Sequence, residues 1–308
     1  MFCTEKPLSK PFKLNCATAI AFVAIFFLSA CKTSQTTKID TTKIAPVLDS
    51  TPADLIEKFN RQAEAVRSLN ARVELNPVAG SAYSGVIQDY RDVRGFILAQ
   101  KPASIRMIGQ APVIAKTIFD MVSDGETFRI SIPSKNKFIT GPARFERAAK
   151  KPIENLRPNH LTDALFWQAL PAQVLFEEFE AETASPNAAG KRYYILTELR
   201  GGGSGAEVAR KVWFDRADLS VARIQVFGEQ GRIVTDARYE DWQPPEQIQG
   251  EAIAGLRYPR IIRVARPRDD YRLEIRITRI TLNESIAAER FDLPQPPGSE
   301  LVRIEDNM

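Results

Sequence analysis

Through most of the chain after residue 70, apolar and polar positions alternate with a period of two. Ala71, Val73 and Leu75 are separated by Arg72 and Glu74, and Phe128, Ile130 and Ile132 by Arg129 and Ser131. Extended runs of similar character fall at 96–98, 105–107, 193–199, 212–214, 222–227, 232–239, 260–264 and 271–282. Period-two alternation marks antiparallel strands with one dry face and one wet face. The run from Tyr271 to Ile277 keeps its apolar residues at odd positions, and at Thr278-Arg279-Ile280 they pass to even ones. A β-bulge or strand bend is required there. Turn-forming residues between runs (Ser123-Asp124-Gly125, Gly228-Glu229-Gln230-Gly231, Arg268-Asp269-Asp270) make neighbouring runs antiparallel hairpins. The expectation is a curved antiparallel sheet of about 11 strands.

Two stretches follow the helical period instead. Thr51-Pro52-Ala53-Asp54 supplies an N-cap, a first-turn proline and an acid at the positive end of the dipole. Leu55, Ile56, Phe59, Ala63 and Val66 then form one apolar stripe. A second helix is expected from a cap at Asn159, carrying Leu161, Ala164, Leu165 and Leu170 and ended by Pro171, with a further short helix over 172–179. No repeat of 20–50 residues is present. The fold class is therefore α+β, mainly β, with helices available to cover the sheet's apolar face. Residues 52–308 read as a single domain.

The N-terminus has a different character. Lys6, Lys10 and Lys13 precede an apolar run over 16–28, followed by Leu28-Ser29-Ala30-Cys31. A basic start, a short apolar stretch and small residues at a cut site define a secretory signal peptide. The run is shorter than the roughly 20 residues a bilayer span needs. The sequence ending in Cys31 resembles the lipobox of bacterial lipoproteins, which implies a signal peptide over 1–30 and lipidation of Cys31. Residues 31–51 are polar, Thr-rich and aperiodic, the composition of a flexible tether.

Composition narrows the chemistry. The 308 residues contain 42 basic and 38 acidic side chains. Without residues 1–30, 39 basic and 37 acidic remain, with both signs interspersed, so nucleic acid is not an expected partner. Cys31 would be the only cysteine left, which rules out an internal disulfide and a cysteine-based zinc site. His160 is the only histidine and reads as a surface residue at a helix start. No metal, cofactor or catalytic residue is expected, and no nucleophile signature supports a hydrolase.

In this order of elements the chain resembles the LolA/LolB-like carriers and acceptors of bacterial lipoprotein localisation. The resemblance rests on 54–75 as an opening helix running into a first strand, Met121–Phe128 with its Ser123-Asp124-Gly125 turn, and Ile132-Pro133-Ser134-Lys135-Asn136. It continues through Val212-Trp213-Phe214-Asp215, residues 223–239, Thr281-Leu282-Asn283 and Phe291-Asp292-Leu293-Pro294, covering most of 52–296. It implies an unclosed β-barrel whose concave side, under covering helices, accepts acyl chains of lipids or lipoproteins. It further implies membrane attachment through the lipid anchor and an envelope protein as donor. Lys32 after Cys31, in place of Asp, implies the periplasmic face of the outer membrane. The anchor favours a fixed LolB-like acceptor over a free shuttle.

Val73, Leu75, Phe96, Leu98, Ile105, Met107 and Leu165 are the candidates for such a cavity. A lined cavity and a filled core use the same residue types, so both readings of these faces stand. With a filled core, the chain would be a structural outer-membrane lipoprotein that binds an envelope protein. Ile108-Gly109-Gln110-Ala111-Pro112-Val113-Ile114-Ala115 resembles the Gly/Pro turn of LolB-type proteins. Val113 or Ile114 is then the protruding apolar residue, or else an inward-pointing strand start. The run Gly201-Gly202-Gly203-Ser204-Gly205 reads as a hairpin loop, since no Lys-Ser/Thr or helix follows it. Glu177-Glu178-Phe179-Glu180-Ala181-Glu182 reads as a solvated helix face. Arg257, Arg260, Arg263, Arg266 and Arg268 read as the wet face of an edge strand, or as a contact for acidic lipid headgroups.

Overall fold

The first helix, α1 (Pro52–Ala65), begins where its cap residues dictate. The Asp54 amide donates to Thr51 Oγ1 at 3.2 Å, and the Thr51 amide donates back to the Asp54 carboxylate at 3.4 Å, a reciprocal capping box. Its apolar stripe is buried through Leu55, Phe59, Ala63 and Ala65. The second helix, α2 (Pro158–Leu165), begins one residue before the expected cap and is shorter than expected. Residues 166–170 leave the helix and run as a strap onto α1, where Asn60 holds Leu170 from both sides. The Asn60 amide donates to the Leu170 carbonyl at 3.0 Å, and the Leu170 amide donates to Asn60 Oδ1 at 2.7 Å.

These features belong to a computed structural model, which describes residues 47–81, 86–89, 93–143, 158–181, 190–201, 205–250 and 254–304. The expected signal peptide, Cys31 and the tether as far as residue 46 lie outside the described residues. Both helices and every described strand fall within 47–304, so this part carries its own core.

The described strands are β1 (Ser68–Ser81), β2 (Val86–Asp89), β3 (Val93–Gln100), β4 (Ser104–Gln110), β5 (Thr117–Ser123), β6 (Thr127–Ile132), β7 (Lys137–Pro142) and β8 (Leu175–Glu180). They continue as β9 (Arg192–Arg200), β10 (Glu207–Asp215), β11 (Ser220–Phe227), β12 (Ile233–Gln243), β13 (Gln247–Ile248), β14 (Tyr258–Arg266), β15 (Tyr271–Leu282) and β16 (Glu300–Arg303). They form one mainly antiparallel, unclosed sheet in the order β16-β7-β6-β5-β4-β3-β1-β15-β14-β12-β11-β10-β9-β8, with β2 beside β1 and β13 beside β15. The 16 described strands exceed the expected 11 or so. Outside the runs read from alternation lie β2, β13 and β16, of two to four residues, β8, exposed throughout, and β5 and β7, where buried residues are adjacent in sequence (Met121-Val122-Ser123 and Phe138-Ile139).

The bulge read from the apolar phase is present. The register between β1 and β15 passes from Arg72↔Arg279 to Val73↔Ile277, leaving Thr278 unopposed. Its hydroxyl donates to the Arg72 carbonyl at 3.2 Å.

Two expectations fail by tertiary override. The segment expected as a helix over 172–179 contains β8, antiparallel to β9 at one end of the sheet. Its carboxylates have cross-strand partners: Glu177 pairs with Lys211, Glu178 with Arg216 and Glu180 with Arg192. The strand of Arg260, Arg263 and Arg266 is interior, between β12 and β15. Arg257, Arg260, Arg263 and Arg266 pair with Asp218, Glu246, Glu274 and Asp269 respectively. Four of the five arginines read as a basic stretch are therefore neutralised.

The tether boundary also shifts. Arg216, nearly buried beside Tyr194, accepts the Leu48 amide on its carbonyl at 2.8 Å and pairs with Asp49 at 2.7 Å. Residues 48 and 49, assigned to the tether by composition, are fixed to the end of β10.

Candidate functional site

One apolar cluster fills the concave side. Val73, Leu75, Ile105, Met107 and Leu165 all belong to it and are almost completely buried. The structure thus brings five of the seven cavity candidates together, from β1, β4 and α2.

Phe96 and Leu98 are not with them. The ladder sets Ala71 opposite Ile97 and Val73 opposite Gly95, so Ile97 and Ala99 face the concave core. Phe96 points outward, 37% exposed, with the Arg72 guanidinium 5.8 Å above its ring. Leu98 is buried but falls outside the concave cluster. In Phe96-Ile97-Leu98-Ala99 every residue is apolar, so alternation cannot set the phase, and pairing with β1 sets it instead.

The cover over this face is latched at its C-terminal end. The Tyr239 hydroxyl donates to the Ala164 carbonyl at 3.1 Å, and Tyr258 donates to the Leu165 carbonyl at 2.9 Å. These bonds satisfy carbonyls that the end of α2 leaves open. Burial pushes both phenols far above the ordinary tyrosine range, so they stay protonated donors. Arg210 reaches the strap from β10, donating to Gln168 and Ala169 carbonyls at 2.7 and 3.0 Å. Phe59 of α1 stacks on Trp167 with ring centroids 5.1 Å apart, and Trp167 meets Tyr239 edge-on at 5.2 Å. In the sequence, Tyr239 ends the run over 232–239 and Tyr258 precedes the run over 260–264, and nothing local marks either as a partner of α2. Their role at α2 depends on pairings some 75 and 93 residues apart in sequence.

The second feature is the β4–β5 hairpin. Its tip carries Val113 and Ile114, 92% and 71% exposed. The Ala111 amide donates to the Lys116 carbonyl at 2.9 Å, and the Ala115 amide donates to the Ala111 carbonyl at 3.1 Å. Ala115 adopts a left-handed φ of 50°. Below the tip, the Phe119 ring lies so close over Gly109 that a Cβ there would stand 2.3 Å from it. Two large apolar side chains thus project into solvent from a hydrogen-bonded turn on a paired base.

The convex side carries a smaller core of Val122, Phe138 and Leu293, formed where the C-terminal segment crosses β5 and β7. Arg129 holds that segment through Asp292 at 2.8 Å. Gly201 begins the β9–β10 connection, and Gly202, Gly203 and Ser204 lie outside the described residues. His160 is half-buried at the start of α2. Among the described residues, no group of three His, Cys, Asp or Glu side chains could hold a metal ion, and no helix is long and apolar enough to cross a membrane.

No protein-family model matches the sequence, and no curated protein matches it. Similar solved structures include a LolA superfamily protein from Nitrosomonas europaea, at 14% identity over 80% of this chain and 99% of that one, with a TM-score of 0.42. A domain named for outer-membrane lipoprotein sorting, from Vibrio parahaemolyticus, is 8% identical over 78% of this chain and 95% of its own, with a TM-score of 0.42. A DUF1329 family protein from Desulfovibrio piger is 13% identical over 78% and 95%, with a TM-score of 0.40.

Proposed function

We propose that the chain is a non-enzymatic, lipid-anchored binding protein for the acyl chains of lipids or lipoproteins. It would act as a LolB-like acceptor at the periplasmic face of the outer membrane, with an envelope protein as donor. The observation that carries the reading is the hairpin tip. Val113 and Ile114 are large, apolar and almost wholly in water, at the end of a turn held by its own hydrogen bonds. A monomeric soluble domain gains nothing from such a projection, whereas a bilayer or an acyl chain would cover it.

In this reading the strap and α2 form the cover that moves. An incoming chain takes the place of Leu161, Leu165 and Phe166 against the concave face after the Tyr239, Tyr258 and Arg210 bonds to the cover open. Burial of about 0.8 kcal/mol per CH₂ relative to water retains the chain without nucleotide or metal.

The close packing of the concave cluster favours a second reading, a structural lipoprotein with a filled core that binds an envelope protein. Native mass spectrometry of residues 32–308, purified without detergent, separates the two. A lipid adduct supports the carrier. A uniformly empty protein that captures an envelope protein supports the structural lipoprotein.

A further inference from the structure

Some arginines on the convex face are neutralised, Arg223 by Asp236 and Arg263 by Glu240 and Glu274. Others, Arg238, Arg272 and Arg279 among them, have no carboxylate within ion-pair distance among the described residues. Two of the unpaired kind lie beside the hairpin. Among the described residues, Arg72 of β1 and Arg94 of β3 have no carboxylate partner within ion-pair distance. The ladder places Arg72 opposite Phe96 and Arg94 opposite Glu74. The two arginines are therefore diagonal neighbours on one face, roughly 7–8 Å apart.

Both line a cleft of about 390 Å³ with Glu74, Phe96, Gln110 and Thr278, closed on one side by the foot of the tip at Ala111, Pro112 and Ala115. Two guanidinium groups face one carboxylate there. The aromatic ring under Arg72 lays its guanidinium along the surface. Lys116 adds an exposed cation on the far side of the turn.

We propose that this cleft is a site for the phosphate of an anionic phospholipid headgroup, filled when Val113 and Ile114 enter a bilayer; this rests on the membrane-contact reading of the tip above. An apolar segment seated at the headgroup boundary penetrates about 5–10 Å, which brings the residues at its foot level with the phosphates. Guanidinium forks match phosphate oxygens in pairs. Glu74 leaves the cleft with a net charge of plus one, suited to a single monoanionic phosphate rather than to a polyanion. The hairpin then supplies two different contacts, the tip for hydrocarbon and the cleft for the headgroup. Together they fix the tilt of the sheet on the membrane.

The test uses residues 32–308, which contain the whole sheet and its core. Binding is measured to vesicles of phosphatidylcholine alone and of phosphatidylcholine mixed with phosphatidylglycerol. The wild type should bind both, the mixed vesicles more tightly, with a preference that falls as salt rises. Arg72→Gln and Arg94→Gln should each weaken binding to mixed vesicles about fivefold, and the double variant roughly 25-fold, with a smaller loss on phosphatidylcholine, whose phosphate is offset by its choline cation. Circular dichroism reports folding; should Arg72→Gln fail to fold, Arg94→Gln, at an exposed position, carries the test. A double variant that keeps the wild-type preference overturns the site while the tip reading stands. Wild-type binding that survives Val113→Asp with Ile114→Asp overturns the tip reading and the site with it. Inorganic phosphate that binds the wild type but not the double variant, without any vesicle preference, makes this a free-phosphate site and overturns the membrane assignment.

Discussion

Phe59→Ala perturbs the point where α1, the strap and the sheet meet. The ring is 1% exposed, stacked on Trp167 at 5.1 Å with an interplanar angle of 11°, edge-on to Phe214 at 6.4 Å, and 5.7 Å from the Arg210 guanidinium. Removing a fully buried phenyl forfeits about 2–3 kcal/mol of transfer free energy. The cavity it leaves raises the total to about 3–5 kcal/mol. Two favourable ring pairs, each worth about 0.5–1.5 kcal/mol, place the expected loss in the upper part of that range. For a domain of this size the melting midpoint should fall by about 10–15 °C. Calorimetry together with urea titration measures it, and an unchanged m-value would show that the same surface is exposed on unfolding. A loss below about 1 kcal/mol would refute the reasoning. Phe59 would then not be clamped by Trp167 in solution, and the concave face would stand open without cargo.

Three further outcomes follow from local geometry. Thr51→Ala removes the hydroxyl that accepts from Asp54 and should cost about 1 kcal/mol in a thermal melt, with little change in the sheet signal of circular dichroism. Gly95→Ala should be far more damaging than Gly109→Ala. A Cβ at Gly95 meets the Ile108 carbonyl oxygen at 2.3 Å, a backbone atom locked in the ladder, whereas at Gly109 it meets the Phe119 side chain, which can rotate; comparative melts decide. Stability should fall on acidification. Burial alone would raise Glu246 and Glu274, but the Ile280 amide and Arg260 at the first, and Arg263 and Arg276 at the second, hold both below the ordinary glutamate value. The unfolded chain then takes up these protons at higher pH than the folded one. This contribution is present above about pH 4.5 and is lost as pH falls through the folded values. Glu246→Gln should flatten that part of the profile of melting midpoint against pH.

The features legible in the sequence are those with a local cause. Thr51 and Asp54 define the start of α1 through three residues of chain. The passage of apolar positions from odd to even at Thr278 locates the bulge because side-chain facing in a strand has a strict period. The exposed tip was legible as one of two readings, with Pro112 breaking the alternation just before Val113 and Ile114. Other features depend on distant pairing. The faces of Phe96 and Leu98 follow from the register with β1. The Glu-rich segment at 175–180 has the composition of a helix and becomes a strand through its ladder with β9, with Phe176 against Tyr194 and Phe179 against Trp213, while Lys211, Arg216 and Arg192 answer its carboxylates. The fixing of Leu48 and Asp49 by Arg216 spans more than 160 residues of sequence, and composition alone marks those two positions as tether.

Acyl-chain binding is tested most directly by native mass spectrometry of residues 32–308 after incubation with a diacylated lipopeptide. A stoichiometric adduct is expected, weakened when Val113 and Ile114 are both replaced by aspartate and strengthened by Tyr258→Phe, which removes one bond holding α2 closed. A protein that stays at its bare mass throughout, in all three forms, would contradict acyl-chain binding and leave the filled-core reading in its place.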